Sequence, residues 1–371
     1  MFYLWLRRVH LALTLVAGIF ILSMCVSGLL LVYATDIQKI MWPNAWTVDT
    51  PVDVSEVETP VLAHEIESGS YSIDAVVERA QAQAQSRITL LNLQVEPDDI
   101  WQVGLANGKY ANVNPYTGDV LKQYYYDDTF YGFLLSWHRR LLQSGHSATV
   151  SQNVLSTAAT ILCINLLVGL ALWAKPKRRL KRMLYRPTNN AKSKIGQIHA
   201  LLGVYTFIPL FLISLSGIAF FWVAPTKALV QAFTFGSVTL PQHPQAETVG
   251  VPNLAQILAS SNSVFANGEP RRIYFAKKAG DPIKVRVQLP TENHPYSWVW
   301  LEPEDSRVID SFNAEAQNLA TKTWNFRYKF HVGQWWNGVI QCLWLLLMFV
   351  PIFWVVSGVW LALKRRRKPA R

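Results

Sequence analysis

The sequence predicts a membrane protein: a bundle of four transmembrane helices, built as two tandem two-helix repeats, with α+β domains exported to one side of the bilayer. Three observations carry that prediction. Of 371 residues, 51% are hydrophobic and only 16% charged, too apolar for an ordinary soluble domain yet too polar to lie wholly in lipid. Apolar runs at 9–33, 154–173, 198–223 and 340–363 reach, or nearly reach, the roughly 20 residues a helix needs to cross a hydrocarbon core. The second half of the chain also repeats the first.

Taken in order, the chain divides into a first helix (1–34), an exported unit (35–136), an interfacial helix with the second span (137–174) and a basic loop (175–194). A third span (195–224), a second exported unit (225–329), an interfacial helix with the fourth span (330–364) and a basic tail (365–371) follow. The first span reads as an uncleaved signal anchor. Its apolar core is too long for a signal-peptide core, and no small-residue cleavage site follows. Leu22, Ser23 and Met24 ahead of Cys25 make a poor lipoprotein signal.

Charge sets the expected orientation. Arg7 and Arg8 precede the first span, residues 175–194 hold nine Lys/Arg, and residues 364–371 hold six, with no Asp or Glu in these segments. Elsewhere acids outnumber bases. By the positive-inside rule both termini and the middle loop are cytoplasmic, and the two long loops face the other side. The net charge of +11 is thus a topology signal, and no nucleic acid is needed to explain it. The basic loop also suits anionic lipid headgroups. Cys25, Cys163 and Cys342 all fall within spans, so disulfides do not staple the exported loops, and without a C-x-x-C a zinc or iron–sulfur site is unsupported.

The repeat is read from matched landmarks. His10 precedes Ser27 and Gly28 by the same separation at which His199 precedes Ser216 and Gly217. Likewise His138 precedes Gly145, and His331 precedes Gly338, at one spacing. The second and fourth spans close alike, Gly169-Leu-Ala-Leu-Trp-Ala-Lys against Gly358-Val-Trp-Leu-Ala-Leu-Lys. In the first loop, 72–85 reads as a helix, 88–95 and 100–105 as strands, and 110–121 as strand–turn–strand about Asn114, Pro115 and Gly118. The second loop offers a helix at 253–260, strands at 271–275 and 283–289, and a strand–turn–strand at 297–310. Residues 35–70 and 226–252 read as irregular connectors.

Depth then places the histidines. His10 and His199 lie just inside the cytoplasmic ends of the first and third spans. From His10 to Gly28 is roughly 27 Å of helix, so the Ser-Gly pair reaches the far side. One helix from His331 to Lys364 would run about 50 Å, so Gly145 and Gly338 are expected to break an interfacial helix from the span proper. That puts His138 and His331 near the exported surface. A pseudo-twofold along the membrane normal brings His10 opposite His199 and His138 opposite His331. Two neutral imidazoles facing each other in a bundle core are the axial set of a six-coordinate b-type haem. Gly18, Gly196 and Gly203 are candidates for leaving room for a flat macrocycle.

A histidine at a helix end is as often a plain interfacial residue; the matched positions are what favour a shared role. His146 is the rival to His138, while His64, His243 and His294 have no counterpart between halves. Aromatic residues such as Trp42, Trp46, Trp137, Trp324, Trp335 and Trp336 read first as an interfacial belt, those beside His138 and His331 also as walls for a haem or substrate. The spans hold no Asp or Glu, which speaks against a metal-transport path. No dinucleotide fingerprint, P-loop, nucleophile elbow or H-E-x-x-H occurs, so any redox activity takes its electrons from a separate donor.

The four-span layout, the four matched histidines, the Trp137-His-Arg-Arg-Leu-Leu and Phe330-His-Val-Gly-Gln-Trp-Trp-Asn-Gly segments, and the Asn114-Pro-Tyr-Thr-Gly-Asp-Val turn resemble the PepSY-associated transmembrane family, with PepSY-like units in the loops. That family includes PiuB-like and FoxB-like ferric-siderophore reductases of the bacterial inner membrane. The resemblance implies a haem-dependent oxidoreductase with two haems b, ligated by His10 and His199 on the cytoplasmic side and by His138 and His331 on the periplasmic side. It implies reduction of a ferric siderophore in the periplasm, release of Fe(II), and a quinol or cytoplasmic reductant as donor. The second loop departs from the pattern, since Glu302-Pro-Glu-Asp-Ser lacks the turn glycine. Two rivals stand beside this reading: a non-catalytic anchored module that binds an exported partner, and a transporter for iron or its chelate.

Overall fold

The computed structural model describes residues 1–49, 73–93, 96–174, 183–250 and 253–366. Its elements begin with helices α1 (Phe2–Leu31), α2 (Ala34–Met41), α3 (Pro43–Trp46) and α4 (Ile73–Ala84). Strands β1 (Ile88–Asn92), β2 (Trp101–Leu105), β3 (Tyr110–Val113) and β4 (Val120–Tyr124) follow. Next come α5 (Phe130–Arg140), α6 (Gly145–Ala174), α7 (Ala191–Tyr205), α8 (Phe207–Ile218), α9 (Val223–Thr234) and α10 (Leu254–Val264). Strands β5 (Glu269–Tyr274), β6 (Ile283–Gln288), β7 (Ser297–Leu301) and β8 (Val308–Phe312) precede α11 (Leu319–Val332) and α12 (Gly338–Arg366). The chain forms two units, one of Met1–Ala34, Phe133–Phe233 and Phe326–Arg371, the other of Thr35–Gly132 and Thr234–Asn325.

In the helical unit, α1, α6 and α12 are long and apolar enough to cross a membrane, and α7 with α8 makes a fourth span if the bent pair counts as one. The chain is a membrane protein with three to four candidate spans and a separate antiparallel sheet domain. Beyond Leu6, the buried residues on α1 are small or slender (Thr14, Ala17, Gly18, Ile21, Cys25, Ser27) and fall at helical spacing. Leu15, Val16 and Ile19 on the other side are exposed. A helix that presents large apolar side chains outward and small ones inward is arranged for lipid, where close backbone approach drives association. Gly18 is one such approach: a Cβ there would stand 3.3 Å from Val355 of α12.

The third span differs from expectation, being bent by 64° between α7 and α8 instead of running straight. The physical cause is Pro209, which donates no backbone hydrogen bond and whose ring collides with the carbonyl one turn earlier. Thr206 at the junction returns its hydroxyl to the Leu202 carbonyl at 2.7 Å. The breaks before the second and fourth spans are where the glycines place them: α6 starts at Gly145 (φ +55) and α12 at Gly338. Gly333, at φ +74, ends α11, and a Cβ there would lie 2.7 Å from the Trp344 ring, so no other residue closes this turn without moving the indole.

The sheet unit joins both long loops in one eight-stranded antiparallel sheet, ordered β4-β3-β2-β1-β5-β6-β7-β8. Each loop supplies four strands, and the halves meet edge to edge where Leu91 of β1 pairs with Ile273 of β5. One face carries the core, including Leu91, Val103, Ala111, Ile273, Val285 and Val299, with Val76 and Ala80 of α4 and Leu254 and Ile257 of α10 packed against it. Alternate residues point to the opposite face. The β3–β4 turn holds Gly118 at φ +76, its amide donating to the Asn114 carbonyl at 2.9 Å. Ser306 takes the same place between β7 and β8 at φ +57, its amide donating to the Glu302 carbonyl at 3.1 Å. The second turn therefore survives without a glycine.

The connectors expected to be irregular carry helices where described: α2 and α3 in the first, and most of α9 in the second. Segments of four to twelve residues are too short for helical periodicity to stand out in a window of 11–18 residues.

Candidate functional site

The four matched histidines all lie in the helical unit, and the structure brings them together in two pairs. His138 of α5 and His331 of α11 have ring centroids 6.2 Å apart. His10 of α1 and His199 of α7 have theirs 6.3 Å apart. Each pair takes one ring from each half of the chain, as the depth of the residues predicts.

What holds each ring comes from its own half. His138 Nδ1 sits 3.0 Å from Ser27 Oγ, whose proton goes to the Ser23 carbonyl at 2.7 Å. Ser27 therefore accepts from the imidazole, so Nδ1 carries the ring proton and Nε2 the lone pair. His331 repeats this arrangement with Ser216 Oγ at 3.2 Å and the Ile213 carbonyl at 3.1 Å, and that carbonyl can only accept. His199 Nδ1 is 2.7 Å from Ser357 Oγ. Fixing Nδ1–H in this way sets the ring's orientation and leaves the Nε2 lone pair as the one able to ligate a metal.

A glycine lies under every ring. A Cβ added at Gly28 would stand 3.2 Å from Cε1 of His138, at Gly217 3.0 Å from that of His331, at Gly169 3.3 Å from that of His10, and at Gly358 3.7 Å from that of His199. Three of these glycines follow a serine that binds Nδ1. Ahead of Gly169 stands Val168 instead. His10 Nδ1 is accordingly buried without a hydrogen bond, and so is Oδ1 of Asn165, one turn earlier on α6. The Asn165 amide donates to Thr14 Oγ1 at 2.9 Å, leaving its Oδ1 free to accept.

Burial drives the His138 imidazole down to about 4, with neighbouring His331 adding to the effect, and burial also lowers His331. Both rings are neutral at ordinary pH, the form that ligates metal. Nitrogen–metal bonds of about 2.0 Å on both sides of one ion, plus the distance from each nitrogen to its ring centre, put opposed imidazole centroids roughly 6 Å apart. Both pairs meet that spacing. Among the described residues no group of three or more His, Cys, Asp or Glu could hold a bare metal ion. Two imidazoles suit a metal whose other positions are filled by a macrocycle. Beside His10 and His199 there is a cavity of about 620 Å³, lined by Gly169, Gly196, Gly203 and Trp354 and with Arg7 and Lys192 in its wall. Its size and its mixed apolar and basic lining fit a flat macrocycle with acidic side chains, such as haem.

A family model described as the PepSY-associated TM region matches residues 7–365, nearly the whole chain. The chain belongs to this family. No curated protein matches it in sequence.

In this PepSY-associated protein the other histidines stand apart from the pairs. His146 is exposed at the start of α6, His243 stands edge-on to Trp300 and His294 edge-on to Tyr296 in the sheet unit, and His64 lies outside the described residues. Of the glycines expected to make room for a macrocycle, Gly196 and Gly203 line the cavity, whereas Gly18 serves the α1–α12 contact. Among the aromatics, Phe220 stands edge-on to His331 at 5.4 Å, and Trp137 donates its indole N–H to Ser23 at 2.8 Å. Asn165 escapes sequence reasoning because a polar residue in an apolar span is not tied to a histidine 155 residues away by any local pattern. The Ser-Gly pairs are visible as repeated landmarks, but their role as backstops needs the fold.

Proposed function

We propose that the chain is a di-haem membrane oxidoreductase that passes electrons across the bacterial inner membrane to a ferric siderophore in the periplasm. The observation that carries this reading is the pair of inter-half histidine couples at 6.2 and 6.3 Å, each spaced for one metal centre. In this reading α1, α6, α7–α8 and α12 are four spans, both termini are cytoplasmic, and the sheet unit is periplasmic, as the distribution of Lys and Arg supports.

His10 and His199 would hold the cytoplasmic-side haem b, and His138 and His331 the periplasmic-side one. Haem b, when bound, supplies reversible one-electron chemistry at its iron. The chain's own groups do the rest. Ser27, Ser216 and Ser357 fix the tautomer of their histidines, and the underlying glycines let the rings seat against helix backbone. An external donor, a quinol or a cytoplasmic reductant, loses one electron per turnover. The ferric chelate gains it. Fe(III) sits tightly among hard oxygen donors and Fe(II) far less so, which releases the metal without breaking a covalent bond in the chelator. No nucleophile or general acid is required.

The test is spectroscopic and kinetic. Protein purified from haem-replete cells is expected to show a b-type Soret band with resolved α and β bands on reduction, and reoxidation by an added ferric chelate with capture of Fe(II). A colourless protein contradicts the cofactor, and a reduced protein that no ferric chelate reoxidises contradicts the substrate.

A further inference from the structure

On the sheet face opposite α4 and α10, Arg272 of β5 and Arg286 of β6 occupy directly opposed positions in the register. Like charges placed opposite one another on neighbouring strands are destabilising. Four other cations of the sheet unit are ion-paired: Lys39 with Asp99, Arg79 with Asp119, Arg271 with Glu269 and Arg307 with Glu302. Among the described residues neither Arg272 nor Arg286 has a carboxylate partner. Lys284, one pair further along the same face, lies 5.9 Å over the Tyr274 ring. Three cations thus adjoin without an anion.

Their setting is aromatic. The Arg286 guanidinium lies 5.1 Å over the Trp298 ring. Trp298 stacks on Tyr274 at 6.1 Å and on Trp300 at 6.0 Å. Arg272 is held by the Tyr274 hydroxyl at 3.3 Å, and Arg286 donates to the Pro295 carbonyl while its Nε stays buried without a partner. The acids on this part of the face are Asp310, opposite Trp300 at the outer strand and exposed, and Glu269, opposite Gln288 and already paired with Arg271. Two fixed guanidinium groups over stacked rings suit an anion that presents flat, oxygen-rich aromatic rings.

We infer that Arg272, Arg286 and Lys284, on the floor made by Tyr274 and Trp298, bind an anionic tris-catecholate chelate of iron. This rests on the proposed reductase reading and narrows it. The substrate class is trianionic and aromatic, and the protein discriminates against cationic chelates.

The full-length oxidised protein in detergent is titrated with the redox-inert Ga(III) tris-catecholate complex, followed by tryptophan fluorescence and calorimetry. Saturable binding is expected, with no comparable binding of a cationic Ga(III) trihydroxamate. Arg272→Gln and Arg286→Gln each weaken it at least tenfold, while Lys122→Gln, on the far strand of the same face, does not. Should a Gln variant melt early, the salt dependence of wild-type binding decides: three half-buried cations that meet a trianion give an affinity that falls with ionic strength, and an affinity flat with salt overturns the inference. Unchanged chelate binding in both Gln variants also overturns it, as does loss of binding to anionic-lipid vesicles alone, which makes the strip a headgroup site. A colourless wild type that still binds the gallium complex through these arginines sinks the reductase reading and leaves this site standing. A haem-loaded protein indifferent to Arg272 and Arg286 does the reverse.

Discussion

Gly217 and His331 approach so closely that a Cβ on residue 217 would stand 3.0 Å from the imidazole Cε1. The other three rings sit over their glycines at graded distances, 3.2 Å for Gly28, 3.3 Å for Gly169 and 3.7 Å for Gly358. Alanine substitution is therefore expected to disturb haem retention in that order, with Gly217→Ala the most damaging and Gly358→Ala close to wild type. Haem per protein, by pyridine haemochrome assay, measures it. Equal retention in all four variants would show that the glycines do not seat the rings.

The serines should act through orientation. Ser27→Ala and Ser357→Ala each remove the acceptor of an imidazole N–H, and loss of such outer partners typically costs about 10- to 100-fold in metal affinity or activity. Asn165→Ala is expected to do the same for His10, since Val168 offers that ring no hydroxyl. The readout is the midpoint potential and low-temperature EPR signal of one haem, with the other unchanged. A shift in both haems, or in neither, contradicts the assignment.

Two turns of the sheet predict stability changes of opposite sign. Ser306 sits at φ +57 with its hydroxyl buried and unpaired. A left-handed conformation costs an L-residue roughly 1–2 kcal/mol, against about 0.5–1 kcal/mol of backbone entropy for glycine. Ser306→Gly should then be neutral or stabilising by up to about 1 kcal/mol. Gly118→Ala meets the same conformational cost and sets a Cβ 2.8 Å from the Val76 carbonyl oxygen, so a loss of about 1–3 kcal/mol is expected. Thermal melts of the sheet's near-ultraviolet signal compare them.

The strands and the four histidines were legible because their signals are local or repeated: alternation in 283–289, the Asn114–Gly118 turn, and one His to Ser-Gly spacing used twice. The bend at Thr206 was not, although Pro209 stands in plain view, because Pro351 lies inside α12 without ending it. Whether a proline breaks a membrane helix depends on which neighbours take up the freed carbonyl. The union of the two long loops in one sheet rests on the β1–β5 pairing, between strands separated by 176 residues from Asn92 to Glu269 by sequence number, and edge pairing leaves no mark in either strand alone. The Arg272–Arg286 opposition is hidden for the same reason, since register sets it.

The central claim is that each metal centre is completed by both halves of the chain. Haem content of double variants tests it most directly. His10→Ala with His199→Ala removes both members of one pair and should leave one haem per protein. His10→Ala with His138→Ala removes one member from each pair and should leave none. If the second variant keeps a full haem while the first loses both, the pairing runs within the halves and the account is wrong.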